Sequence, residues 1–92
     1  MKKTSSNEIK KALSNRLRDE LPVLRARAKV TQETVADKIG ISRQTYSMIE
    51  TGKKEMSWTI CVALIAYFQT NEQTRKMLEQ IPEFAEFEQV LK

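Results

Sequence analysis

Histidine is absent from this 92-residue sequence, and cysteine occurs once, at Cys61. Without histidine or a second thiol, neither a zinc site nor a His-dependent catalytic centre can be assembled, so no metal is expected. A single cysteine excludes an intramolecular disulfide and points to a reducing compartment. Its place in an apolar run marks it as a buried structural thiol. Long hydrophobic runs are missing as well: the longest, Ile60 to Phe68, is far too short to span a bilayer. No apolar core follows Met1, Lys2 and Lys3, so no signal peptide is expected, and the protein is expected to be soluble and cytoplasmic. There is no Gly-rich phosphate loop and no nucleophile–base arrangement. The carboxylates are scattered over helix surfaces, and no catalytic residue or cofactor is expected.

What remains is ordinary globular material, 40% hydrophobic and 30% charged, enough for one small domain over residues 1–92. Its charge is unevenly placed. Residues 1–54 carry 13 Lys/Arg against 6 Asp/Glu, and residues 55–92 carry 3 against 6, so a basic half precedes an acidic one. A basic half suits a polyanion, because each neutralised phosphate releases condensed counterions. The bland alternative is a solvated basic face.

Apolar residues at Ile9, Leu13, Leu17, Leu21, Leu24 and Ala28 form a helical stripe. Ser6 or Asn7 is the expected cap of that helix, and Pro22 predicts a kink or break near Glu20 to Pro22. Next come two short helices. Val35, Ala36 and Ile39 share one face, Gly40 lets the chain leave the helix, and Ser42 caps a second helix that buries Tyr46 and Ile49. Ala36 is small where two steeply crossing helices must approach. The first turn of the second helix presents Arg43 and Gln44, with Thr45, Ser47 and Met48 following on its exposed side. Ser57 predicts a cap for a fourth helix, Trp58 to Phe68, which is apolar nearly all round and so must be covered on more than one side. Asn71 begins a further helix carrying Met77, Leu78 and Ile81 and ended by Pro82. Phe84, Phe87, Val90 and Leu91 predict a last amphipathic one.

Thr31-Gln32, Val35-Ala36, Gly40, Ser42, the variable stretch Arg43 to Met48, and Glu50-Thr51-Gly52-Lys53 together resemble the DNA-binding core of the Cro/repressor-type helix-turn-helix family, often called XRE-like. The resemblance covers residues 17–68. It leaves 1–16 as an N-terminal helical extension and 69–92 as a C-terminal helical extension, which either folds back on the Trp58 to Phe68 helix or pairs with the same tail of a second chain in a dimer. The family usually has a proline before the fourth helix, where Met56 stands here, which leaves the path of that loop open. The expected fold is all-α, a compact helical bundle of lambda-repressor-like helix-turn-helix type with an additional C-terminal helical segment.

In such a fold the second helix of the pair enters the major groove. Arg43, Gln44, Ser47 and Met48 are the expected base contacts: arginine pairs bidentately with guanine, glutamine with adenine, and Met48 offers apolar contact only. Gln32, Ser42, Thr45, Lys53 and Lys54 are the expected backbone contacts, with Gln32 at a helix N-terminus that suits phosphate. The resemblance further implies a structural clamp between Arg25 and Glu50. The function expected is sequence-specific binding of double-stranded DNA by a repressor-like transcriptional regulator, a homodimer on an inverted-repeat operator. The alternatives are a DNA-binding antitoxin that grips a protein through residues 69–92, or a protein-interaction module that has kept the fold without the DNA use.

Overall fold

The first helix begins one residue before the expected caps. Ser5 is extended, and its hydroxyl accepts from the Glu8 amide at 3.1 Å, opening α1 (Ser6–Ala28). The computed structural model describes residues 5–91, with side chains through Gln89. α1 runs for 23 residues through Pro22 without the expected break. A proline inside a helix costs about 3 kcal/mol. Against it stand Leu13, Leu17, Leu21 and Leu24, all at most 1% exposed, each worth about 1.5–3 kcal/mol on burial. Because Pro22 faces solvent while the leucines before and after it point into one core, a continuous helix wins. Residues 6–16 are continuous with the rest of α1 in one helix.

Lys29 takes a left-handed conformation at φ 58°, and the Val30 amide donates back to the Arg25 carbonyl. The chain turns there into α2 (Gln32–Ile39). Gly40 (φ 84°) closes α2, with its own amide and that of Ile41 both donating to the Ala36 carbonyl. Ser42 caps α3 (Arg43–Glu50), and Gly52 (φ 80°) ends the turn beyond it. The loop then buries Met56 where the family usually has proline.

Ser57 caps α4 (Trp58–Gln69), its hydroxyl accepting from the Ile60 amide. α4 packs on α1, α2 and α5 through Cys61, Leu64, Ile65 and Phe68, leaving Val62 and Ala66 outward. Asn71 caps α5 (Glu72–Glu79), and the Thr74 hydroxyl inside it donates to the Phe68 carbonyl at 2.5 Å, tying α5 to the end of α4. Pro82 does more than stop α5, since it is the first residue of α6 (Pro82–Leu91), where its missing amide hydrogen is not needed. The side chains of Val90 and Leu91, expected on the apolar face, lie outside the described residues.

The tail folds back on its own chain, and its main support is α1. α6 packs along α1, and Ile81, Phe84 and Phe87 are buried, Phe87 meeting Trp58 edge-on at 5.3 Å. Among the described residues there are six helices and no strand. No described helix is long and apolar enough to cross a membrane.

Candidate nucleic-acid interface

A salt bridge holds the two ends of the interface together. Arg25 on α1 meets Glu50, the last residue of α3, in a two-pronged pair: Nη2 to Oε1 at 2.8 Å and Nε to Oε2 at 3.1 Å. Glu50 is 6% exposed in its side chain and Arg25 22%, so the pair is shielded from water mainly on the carboxylate side. Hydrogen bonding to Glu50, opposed by partial burial, raises the Arg25 pKa above its ordinary value. Beneath the pair lies Tyr46, wholly buried, with a hydroxyl that has no hydrogen-bond partner among the described residues. Burial first, then the nearby Glu50 carboxylate, pushes its pKa well up from the ordinary 10.0. That hydroxyl is sealed away from any phosphate.

Gln32, the first residue of α2, joins this cluster, its Nε2 donating to Glu50 Oε2 at 3.4 Å. An amide nitrogen carries two hydrogens, so one remains for an acceptor such as phosphate. The Thr31 cap takes up the Thr34 amide, which leaves the amides of Gln32 and Glu33 open at the positive end of α2. An open depression there is lined by Arg25, Gln32, Glu33 and Arg43.

At the start of α3 the Ser42 hydroxyl is fully engaged. It accepts from the Thr45 amide at 3.0 Å and donates to Thr45 Oγ1 at 2.9 Å. The proton free to reach a phosphate therefore belongs to Thr45, not Ser42. Arg43 and Gln44 are exposed and Ser47 and Met48 half-buried. All four line one open depression along the outer side of α3, closed at its far end by Thr51 and Lys53. Lys54 is exposed just beyond it. Tyr46 and Ile49, on the opposite side of the same helix, are 0% exposed. One face is committed to the core and the other presents donors, acceptors and one thioether.

The sequence reading missed two features. Thr51 belongs to the α3 depression, and its spacing of four from Ser47 was the available signal. The Gln32–Glu50 contact joins residues that the chain holds far apart, and no local pattern announces it. Among the described residues no group of His, Cys, Asp or Glu could hold a metal ion.

A family model described as a helix-turn-helix domain matches residues 16–78, about two-thirds of the chain. No curated protein and no solved structure matches.

Proposed function

The chain belongs to the helix-turn-helix domain family, a DNA-binding family, and from that premise we propose that it is a sequence-specific, repressor-like transcriptional regulator. The observation that carries the reading is the two-faced α3, with Tyr46 and Ile49 buried behind Arg43, Gln44, Ser47 and Met48. In the major groove Arg43 and Gln44 are the leading base readers, suited to guanine and adenine, with Ser47 and Met48 one turn further along the helix. Gln32, Thr45, Lys53 and Lys54 hold phosphates on either side, while Ser42 serves chiefly to set the helix start. Arg25 and Glu50 act as the clamp that fixes the angle of α3. We propose a homodimer on an inverted repeat, since a single α3 spans only a half-site. Leu78, Ile81, Phe84 and Phe87 are buried within the chain, which weakens the reading of residues 69–92 as the grip on a protein partner and moves the pairing surface away from their inward face.

The test is selection from a random duplex pool at two salt concentrations. Enrichment of an inverted repeat with half-sites about one helical turn apart supports the reading. Binding without enrichment that collapses as salt rises would reduce it to non-specific phosphate attachment. Arg43→Ala with Gln44→Ala should abolish sequence preference while the helical circular dichroism signal stays unchanged. Retained preference removes both as base readers.

A further inference from the structure

Resting on the reading above, we infer that the first turns of α1 form a second DNA-backbone contact, outside the helix-turn-helix, that grips phosphates flanking the half-site. The groove that would receive them lies between α1 and the loop after α3 and is lined by Lys10, Lys11, Asn15, Glu55 and Trp58. Lys53 lines the α3 depression and Glu55, two residues on, lines this one, so a single loop borders both.

Charge supports a polyanion as the occupant. Among the described residues Arg16, Arg18, Arg25, Arg75 and Lys76 each meet a carboxylate within 4.0 Å. Lys10, Lys11, Lys53 and Lys54, the cations along this loop and groove, meet none, as is also true of Arg27, Lys29, Lys38 and Arg43. Lys10 is instead held with its ammonium 5.5 Å from the centre of the Trp58 ring, which fixes its position and leaves its charge unneutralised. Lys11 is exposed beside it. The one acidic residue in the groove, Glu55, opposes a phosphate and gives the test a second direction. Duplex DNA is the occupant because its phosphates already follow α3 to Lys53, and the strand leaving the half-site needs only to continue.

The experiment uses the full chain and the duplex recovered by selection, once trimmed to the half-sites and once extended by about five base pairs on each side. Dissociation constants are measured for both across a salt series. The wild type should bind the extended duplex several-fold more tightly. Its salt slope there should be steeper, by about 0.9 for each lysine that meets a phosphate. Lys10→Gln with Lys11→Gln should erase that difference while binding the trimmed duplex as the wild type does. Lys11→Gln alone, which leaves the Trp58 contact intact, should erase part of it, and Glu55→Gln should enlarge it. If the double variant keeps the wild-type preference for the extended duplex, or the wild type shows no such preference, the inference is overturned while the helix-turn-helix reading stands. Failure of the wild type to bind either duplex overturns both.

Discussion

At the scale of single residues, the cluster of Arg25, Gln32, Tyr46 and Glu50 separates what sequence could show from what it could not. The Arg25–Glu50 pair followed from resemblance, because its geometry repeats with the motif. The orphaned hydroxyl of Tyr46 did not, because apolar spacing predicts burial of the ring and says nothing of its oxygen. Two predictions follow from unequal burial. Arg25→Ala leaves a nearly buried carboxylate with only the long contact from Gln32 and should cost about 3 kcal/mol, at the low end for a broken buried pair. Glu50→Gln leaves a guanidinium that can swing to water, so urea denaturation should show a loss of only about 1–2 kcal/mol. Equal losses would mean that the carboxylate finds another partner. Tyr46→Phe removes a buried hydroxyl that has nothing to bond and should raise stability by up to about 1 kcal/mol. The tyrosine's raised pKa means that the fold favours the protonated phenol. Its contribution is complete below the ordinary 10.0 and is lost as pH climbs above it. Wild-type stability should therefore fall above that pH, and Tyr46→Phe should flatten the fall. The Cys61 thiol, raised by burial from its ordinary 9.0, adds a smaller decline that the variant retains.

At the scale of elements, each short helix carries its own start and stop, which is why α2 and α3 were readable. Thr31, Ser42, Ser57 and Asn71 all accept amides of the following turn, and Gly40 supplies the left-handed residue that ends α2. α1 does not break at Pro22, because the signal for a break is local, whereas the leucine burial that overrides it depends on helices far along the chain. The end of α1 holds a second departure from local rules. Lys29 occupies at φ 58° the position where glycine usually stands. A left-handed conformation costs a residue with a Cβ on the order of 1 kcal/mol. Lys29→Gly should therefore raise the midpoint of thermal unfolding by several degrees. An unchanged or lower midpoint would mean that the lysine side chain contributes a contact that offsets the strain.

For the whole molecule, the boundary drawn at residues 17–68 marks the resemblance but not the core. The tail's amphipathic spacing said that it needed a surface without saying which one. That surface is α1, whose leucines lie under α6, and opposite charges meet there as well, Arg16 reaching Glu83 at 3.8 Å. An exposed pair of that kind adds little; the apolar side chains decide. Ile81, Phe84 and Phe87 are at most 5% exposed and at about 1.5–3 kcal/mol each supply roughly 5–9 kcal/mol, comparable with the total stability of a small domain. Ending the chain after Gln80 removes no residue assigned to DNA. It uncovers the face of α1 on which α6 packs and the Trp58 ring, and the basic first turns of α1 lose that support. The shortened chain should melt far below the full one, or show no cooperative melting, and should lose DNA binding in proportion to its unfolded fraction. Raising protein concentration should not restore it. Were the shortened chain to melt like the full one and bind DNA unchanged, the helix-turn-helix would be self-supporting, and α6 would have to be assigned a role other than completing the core.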